Sequence, residues 1–107
     1  MTSMVIIGAG PGGYEAASVA AAGGVEVTVV EETGIGGAAV LTDCVPSKTL
    51  IATAEVTSTL RRAAELGLRH TETFEVDLDA VNFRVRQLAQ AQSDDISRGL
   101  ERKGVRL

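Results

Sequence analysis

Three glycines near the beginning of the chain constrain its fold more than any other feature. They follow the spacing G-x-G-x-x-G, at Gly8, Gly10 and Gly13. The β-branched apolar run 4–7 precedes them and predicts a buried strand, whereas the alanine-rich run 14–22 follows them and predicts a helix. A second apolar run, 25–30, predicts another strand and is followed by Glu31. This order predicts a β-α-β unit, in which the two strands are parallel.

The glycine turn has the composition of a pyrophosphate-binding loop. Gly8 permits the tight turn that leaves the strand, and Gly10 lets the backbone approach a pyrophosphate because it has no Cβ. Gly13 allows the helix to pack closely against the strand. Pro11 fits the first helical turn, where its missing N–H is not needed, and the amides of Gly12 and Gly13 stay free to face an anion. The turn is therefore predicted to bind the phosphates of a nucleotide.

Glu31 is the predicted ligand of a ribose. It lies about 20 residues beyond the glycines, where an acidic side chain accepts hydrogen bonds from a ribose hydroxyl in dinucleotide-binding folds. Glu32 follows it and is the alternative acceptor, although its position also suits a solvated neighbour of Glu31. The strand, the helix, the second strand and the acid together predict dinucleotide binding. The alternative is a glycine-rich turn that binds no ligand.

Composition excludes several classes of function. The chain has 107 residues, a net charge of −4, an isoelectric point near 4.9 and an apolar fraction of 45%. This composition predicts a globular domain that binds neither nucleic acid nor anionic membranes. No run is long enough to span a bilayer, and the first residues lack the basic region of a signal peptide. The single cysteine fits a reducing compartment, so we expect a cytoplasmic protein that starts at Met1.

The rest of the chain predicts two long helices. The first spans 46–66, and the second spans 78–103 and is capped by Asp77 or Asp79. The segment 38–45 before them is compatible with either a turn or the start of a helix. The faces expected to pack are Leu50, Ile51, Ala54, Thr57, Leu60 and Ala64 on the first helix, and Val81, Val85, Leu88, Gln92, Ile96 and Leu100 on the second.

A third strand is predicted to begin at residues 105–107, after Gly104 ends the second helix. The polar segment 68–76 predicts a loop in which His70 is exposed, and no metal site is predicted. Two strands and the start of a third leave sheet edges unpaired. We therefore expect residues 1–107 to be the N-terminal part of a larger protein.

A second motif follows the β-α-β unit. Gly36 and Gly37 are followed by Cys44 in the sequence C-x-P-S-K, which ends at Lys48. Together with the run GAGPGGYEAA and the terminal acid, this segment resembles the flavoprotein disulfide reductases, which include dihydrolipoamide dehydrogenase and glutathione reductase. The resemblance covers essentially the whole chain. It implies an incomplete α/β, Rossmann-like FAD-binding domain with a parallel sheet, in which a two-helix insertion follows the β-α-β unit.

The resemblance also implies cofactors, partners and site residues. FAD would bind at this segment and NAD(P)H outside it, in a homodimer whose remaining FAD, NAD(P) and dimerisation parts are absent from this chain. Cys44 corresponds to the cysteine nearest the flavin, and Lys48 would lie near the isoalloxazine; these two are the predicted catalytic residues. The residues expected to contact FAD are Gly8, Gly10, Pro11, Gly12, Gly13, Glu31, Glu32, Gly36, Gly37, Ala38, Ala39, Asp43, Cys44 and Lys48.

Three positions depart from the family's pattern G-G-T-C-x-x-x-G-C-x-P-S-K. Ala39 stands where the substrate-attacking cysteine belongs, Ala38 replaces the threonine, and Asp43 replaces the glycine. Thiol–disulfide exchange requires an attacking thiolate and a resolving partner, and alanine provides neither. The resemblance therefore predicts an oxidoreductase in which flavin electrons pass directly to a diffusible acceptor, and it is closest in kind to a branch of the family that reduces quinones.

Several alternatives are compatible with the sequence. The parent protein would be a dihydrolipoamide dehydrogenase-like disulfide reductase, a peroxidase or NADH oxidase in which Cys44 cycles through sulfenic acid, or an NAD(P)-binding dehydrogenase. A non-catalytic FAD-binding segment is the fourth alternative. The C-x-P-S-K context disfavours the second and third. Single residues have simpler explanations too: Cys44 as a buried inert residue, Lys48 as a surface lysine, and Asp43 as a helix cap or a catalytic acid.

Overall fold

The computed structural model describes residues 1–69 and 72–107 and shows an α/β arrangement. The predicted β-α-β unit consists of strand β1 (Ser3–Ile7), helix α1 (Pro11–Ala22) and strand β2 (Glu26–Val30). The two strands are parallel, with Val5 opposite Thr28. Helix α1 begins at Pro11, ahead of the alanine-rich run 14–22, which agrees with the predicted place of this proline in the first helical turn. The predicted strand–helix–strand order is confirmed.

The chain end at Arg106 pairs with the edge of β2 that faces away from β1. The amide of Val29 donates to the carbonyl of Arg106 at 2.8 Å, and the amide of Arg106 donates to the carbonyl of Val27 at 3.0 Å. The opposite edge of β2 pairs with β1. The strand predicted at residues 105–107 is thus confirmed as a parallel bridge at Arg106, and β2 lies between its two neighbours.

Further helical elements follow the β-α-β unit. They are α2 (Gly37–Leu41), α3 (Cys44–Arg61), a 3-10 turn (Ala63–Leu66) and α4 (Leu78–Arg102). The segment 38–45, which the sequence left between turn and helix, forms most of α2 and the start of α3. The predicted helix 46–66 therefore begins earlier, at Cys44. It also ends earlier, because the chain tightens into the 3-10 turn before Gly67.

Helix α3 packs against α4, and the predicted apolar face of α3 is only partly correct: Thr57 is partly buried as expected, whereas most of the other predicted residues are exposed. The side chain of Thr49 is buried, whereas Leu50 and Ile51 are 52% and 55% exposed. Thr49 and Thr57 can be turned inward because each hydroxyl donates to the carbonyl four residues earlier, at 2.8 and 3.0 Å, which satisfies it within its own helix.

Helix α4 is the predicted second long helix. The carboxylate of Asp77 accepts from the amide of Ala80 at 2.9 Å, which confirms Asp77 as the cap. The predicted face is partly wrong, since Leu88 is 40% exposed and its neighbour Ala89 is buried instead. Likewise, Gln92 was expected to be buried but is exposed, and its neighbour Ser93 is buried instead. The buried face of α4 therefore includes the small residues Ala89 and Ser93 in place of the larger Leu88 and Gln92.

A small apolar core joins the β-α-β unit to the end of α4. Its buried residues are Ala9, Ala17, Val27, Val29, Leu100 and Val105. Burial of such side chains is the main favourable contribution to folding. Because Leu100 and Val105 belong to this core, the far end of the helical insertion is anchored beside β2.

Strand β1 is not buried, contrary to the prediction from its apolar sequence. Met4, Val5 and Ile7 are 41%, 66% and 88% exposed, and Ile6 packs on the core. A parallel strand is buried when both faces are covered. Among the described residues no further strand or helix covers the outer side of β1. The apolar side chains of β1 therefore form an open surface in this chain.

The segment 68–76 is a loop in its described part, as predicted, and the prediction for His70 lies outside the described residues. Within the described residues, no helix combines the length and the apolar character needed to cross a membrane.

Candidate functional site

The glycine turn presents free backbone amides at the beginning of α1. Gly10 is the N-cap residue and Pro11 the first helical residue, and no side chain caps this end. The amide of Tyr14 is the one that bonds back to the carbonyl of Gly10, at 2.9 Å. The earlier amides, those of Gly12 and Gly13, have no partner inside the helix, as in any α-helix. They form an anion-binding end of the kind that receives phosphate groups.

The glycines of the turn divide into an open side and a packed side. A Cβ added at Gly10 or Gly12 would meet no atom within 4 Å. A Cβ added at Gly13 would lie 1.9 Å from the carbonyl oxygen of Gly8, which no structure can accommodate. Gly13 therefore sets the close approach of α1 to β1, and the open side beside Gly10 and Gly12 is free for a ligand.

Residues 31–37, which we call the clamp, hold the glycine turn from both sides. The amide of Ala9 donates to the carboxylate of Glu31 at 2.6 Å, and the amide of Gly36 donates to the carbonyl of Ala9 at 2.8 Å. A Cβ at Gly37 would lie 2.8 Å from the Cα of Gly10, so the two glycine segments touch. The beginning of the second motif is thus packed directly on the first.

Glu31 is held in place by Thr33 as well as by Ala9. The amide and the hydroxyl of Thr33 both donate to the carboxylate of Glu31, at 2.9 and 3.0 Å. Hydrogen bonds to the ionised form lower the pKa of Glu31 to about 2, and the Ala9 amide is the largest cause, followed by Thr33. The carboxylate is therefore negative throughout the physiological range.

A cavity of about 270 Å³ lies beside this carboxylate. It is lined by Ile7 and Gly8 at the end of β1 and by Val30, Glu31 and Glu32 at the end of β2. In open α/β sheets, ligands bind in the crevice outside the carboxyl ends of the strands. Both acidic residues proposed for the ribose border this crevice, and Glu31 is the one whose position is fixed by hydrogen bonds.

The second motif continues through α2 into α3. Ala38 and Ala39 lie in α2, and Cys44 is the first residue of α3 and exposed. Exposure of Cys44 makes the interpretation as a buried inert residue wrong. Asp43 occupies the N-cap position of α3, which agrees with its interpretation as a helix cap, although its side chain makes no capping hydrogen bond. Lys48 is exposed on the next turn of α3.

Two residues of the site were missed from the sequence. Thr33 binds Glu31, and Ser93 of α4 donates to the carbonyl of Ile35 in the clamp at 2.5 Å. Thr33 could have been suspected, because a hydroxyl two residues after an acid often bonds locally. The sequence carries no signal for Ser93, which lies 58 residues from Ile35.

Cavity size does not mark the site. An apolar groove of about 510 Å³ lies between α3 and α4, lined among others by Val56, Leu60 and Val81. None of its lining residues belongs to the glycine turn or the clamp. Among the described residues no cluster of histidine, cysteine or acidic side chains could hold a metal ion.

Comparison with known proteins decides the family. Residues 2–105 match the model of the pyridine nucleotide-disulphide oxidoreductases, which is nearly the whole chain. The chain belongs to the pyridine nucleotide-disulphide oxidoreductase family. The resemblance inferred from the two glycine motifs and the C-x-P-S-K segment is confirmed.

Individual members of the pyridine nucleotide-disulphide oxidoreductases match the chain along most of its length. An NAD(P)H dehydrogenase (quinone) of Mycobacterium tuberculosis is 49% identical over 111 residues, which cover 100% of this chain and 22% of the relative. A dihydrolipoyl dehydrogenase of Chlamydia muridarum is 38% identical over 93 residues, covering 87% of this chain and 20% of the relative. A dihydrolipoyl dehydrogenase of Bacillus subtilis is 42% identical over 98 residues, covering 91% of this chain and 19% of the relative.

A solved structure of the same family has the same fold. The crystal structure of LpdA from Mycobacterium tuberculosis matches with a TM-score of 0.91 and 49% identity, covering 99% of this chain and 23% of that protein. The predicted α/β, Rossmann-like class is thereby confirmed. The chain spans about one fifth of the length of the curated relatives that it matches.

Proposed function

We propose that this chain is the FAD-binding segment of an NAD(P)H-dependent flavoprotein oxidoreductase. The observation that carries the proposal is the glycine turn, in which free amides and an open backbone face lie beside an ionised carboxylate at the carboxyl end of β2. In dinucleotide-binding folds, the amides of such a turn bind the pyrophosphate and the acidic side chain binds the ribose. The residues therefore fit the adenosine diphosphate half of FAD.

Each part of the turn has a separate task in this proposal. The amides of Gly12 and Gly13 would bind the pyrophosphate, and the bare backbone at Gly10 would let it approach. Glu31 would accept from the ribose hydroxyls, since it is ionised and partly exposed. Glu32, on the border of the same cavity, is the weaker candidate because no hydrogen bond fixes it in the described residues.

The second motif would serve the flavin end. Family resemblance assigns Cys44 and Lys48 to the neighbourhood of the isoalloxazine, and their exposure on the first turns of α3 is compatible with a ligand there. The segment 36–39 and Asp43 would line the path between the two ends. When bound, FAD supplies a redox centre that accepts a hydride from NAD(P)H and passes electrons on.

The acceptor that we propose is a quinone. Ala39 removes the thiolate that would attack a disulfide, so the side chains of this segment cannot carry electrons to a disulfide substrate. The relative named NAD(P)H dehydrogenase (quinone), 49% identical over the whole chain, supports this choice. A dihydrolipoyl dehydrogenase activity is the second candidate, supported by relatives of that name at lower identity.

The rest of the protein would complete the enzyme. In this proposal residues 1–107 are the N-terminal part of the FAD domain, and the remainder of that domain, the NAD(P) domain and the dimerisation domain belong to the part outside this chain. The full protein would be a cytoplasmic homodimer. The small share of the relatives that this chain covers supports the proposal.

Purification of the full polypeptide that contains this segment tests the proposal. We expect a yellow protein that oxidises NAD(P)H with quinones and fails to do so with lipoamide or glutathione disulfide. Cys44→Ser should retain most quinone reduction, because no sulfur lies on the electron path. A folded but colourless protein that FAD cannot reconstitute would contradict FAD binding. Loss of nearly all activity in Cys44→Ser, with FAD retained, would favour a peroxidase or oxidase that uses this thiol.

A further inference from the structure

Ser93 connects the helical insertion to the clamp. It lies on α4, is only 5% exposed, and donates its hydroxyl to the carbonyl of Ile35 at 2.5 Å. The two residues are 58 positions apart in the sequence. The hydrogen bond is partly buried, and a carbonyl shielded from water that loses its donor destabilises the structure, so this bond favours one position of the clamp relative to α4.

The bond acts next to the contacts that hold the glycine turn. Ile35 precedes Gly36, whose amide donates to the carbonyl of Ala9 at 2.8 Å. Ile35 also packs on the apolar core, so both its side chain and its carbonyl are held. Displacement of Ile35 would pull the amide of Gly36 away from Ala9 and loosen one side of the turn.

We propose that Ser93 is a positioning residue for cofactor binding, which holds the clamp on the glycine turn before the cofactor arrives. The inference rests on the proposed function, because it presupposes that the turn binds FAD. A binding site that is formed only part of the time shows an affinity reduced by the fraction that is formed. Loss of the Ser93 hydroxyl would lower that fraction.

Ser97 provides a matched control on the same helix. It is one turn further along α4, is partly buried, and donates its hydroxyl to the carbonyl of Ser93 at 3.0 Å. It makes a bond within the helix and none to the clamp in the described residues. Ser97→Ala and Ser93→Ala each delete one hydroxyl from α4, and alanine is favourable in a helix in both cases.

The experiment measures FAD binding to the apoprotein of the full polypeptide by quenching of flavin fluorescence. We expect Ser93→Ala to raise the dissociation constant roughly three- to tenfold, the equivalent of one buried hydrogen bond. Ser97→Ala should bind FAD like the wild type. Equal affinity of Ser93→Ala and wild type, or equal weakening in both variants, would overturn the proposal. A wild type that binds no FAD would instead overturn the proposed function.

Hydrogen exchange in the apoprotein gives a readout that does not depend on FAD. The amides of Ala9 and Gly36 should be protected in the wild type before any cofactor is added, and Ser93→Ala should make both exchange faster. Ser97→Ala should leave them unchanged. Unprotected amides at both positions in the wild-type apoprotein would show that the clamp is not preformed, and they would overturn the proposal whether or not the variants fold.

Discussion

At the scale of single residues, Glu31 combines a structural contact with a predicted binding contact. Its carboxylate accepts the amide of Ala9 at the centre of the glycine turn and two donors from Thr33. The same side chain borders the crevice in which we place the ribose. Removal of this carboxylate would therefore affect both the shape of the turn and the affinity for the cofactor.

Glu31→Ala should weaken FAD binding by about ten- to a hundredfold, since hydrogen bonds to a charged acceptor are stronger than ordinary ones. Glu32→Ala is the matched control, because Glu32 borders the same cavity and lies outside the bonds to Ala9. The dissociation constants of FAD for the two variants, measured by fluorescence titration, show which of the two acids binds the ribose. If Glu32→Ala has the larger effect, the ribose ligand is Glu32.

The ionisation of Glu31 should be visible in a pH titration. Because its pKa is lowered from 4.5 to about 2, the contribution of the carboxylate to the stability of the turn is present above pH 4.5 and is lost as the pH falls towards about 2. The carboxyl chemical shift of Glu31 should follow that midpoint. Thr33→Val should raise the pKa while leaving it below 4.5, because the Ala9 amide, its largest cause, remains. A wild-type midpoint near 4.5 would show that the carboxylate is free.

Residues with a role that depends on backbone spacing were predicted from the sequence, and residues that bind a distant backbone group were not. The glycine turn and Glu31 could be found because strand, helix and acid must follow one another at fixed distances. Ser93 donates its hydroxyl to a carbonyl 58 residues away, a partner that only the folded structure determines. A serine on a helix looks the same in the sequence whether it faces water or a carbonyl.

At the scale of elements, the contact between α1 and β1 sets the geometry of the turn. Gly13 lies against the carbonyl of Gly8, while the backbone at Gly10 faces open space. The sequence predicted the same division of tasks among the glycines. The structure supports this division, because an added Cβ would clash at Gly13 and would meet no atom within 4 Å at Gly10.

Gly13→Ala and Gly10→Val should fail in different ways. A Cβ at position 13 would lie 1.9 Å from the carbonyl oxygen of Gly8, so α1 must move, and overpacking of this kind costs about 1–3 kcal/mol or more. Gly10→Val should leave the fold intact and abolish FAD binding, because the side chain would occupy the approach of the pyrophosphate. Thermal unfolding and FAD titration of both variants distinguish the two effects. A Gly10→Val protein that binds FAD normally would contradict the assignment of the open face.

The strands and the three longer helices could be predicted, whereas α2 was left open between turn and helix, the 3-10 turn was not predicted, and the buried faces were predicted only in part. Periodicity located α3 and α4 and the cap at Asp77. On α3 it placed Thr57 correctly but failed at Leu50 and Ile51, because Thr49, whose hydroxyl is satisfied within its own helix, is buried beside them instead. It failed on β1 because the covering of a parallel strand depends on chain that is remote in sequence.

At the scale of the whole molecule, the apolar surface of β1 is the main feature left open. Ile7 is 88% exposed and Val5 is 66% exposed, and the outer edge of β1 is unpaired among the described residues. Exposed edges and apolar patches of this kind promote association with other chains. In our proposal, the remainder of the FAD domain covers this surface.

Residues 1–107 expressed alone should therefore associate, bind a hydrophobic dye and show no oxidation of NAD(P)H. Ile7→Lys should reduce association of this isolated chain, because an edge lysine opposes strand pairing. In the full polypeptide the same change should impair folding, since the lysine would be buried there without a partner. Size-exclusion chromatography of the wild type and Ile7→Lys, each as the isolated chain and as the full polypeptide, tests the predicted association. If Ile7→Lys is harmless in the full polypeptide, β1 is exposed there as well.

The double attachment of Ala9 determines where the chain can change length. Its amide is bonded to Glu31 and its carbonyl to Gly36, so a single inserted residue between those two anchors would displace one of them. The 3-10 turn at residues 63–66, beyond the end of α3, has no comparable pair of attachments to the glycine turn in the described residues. Peptide tags or reporter groups are therefore better inserted near Gly67, which is exposed, than between Glu31 and Gly36.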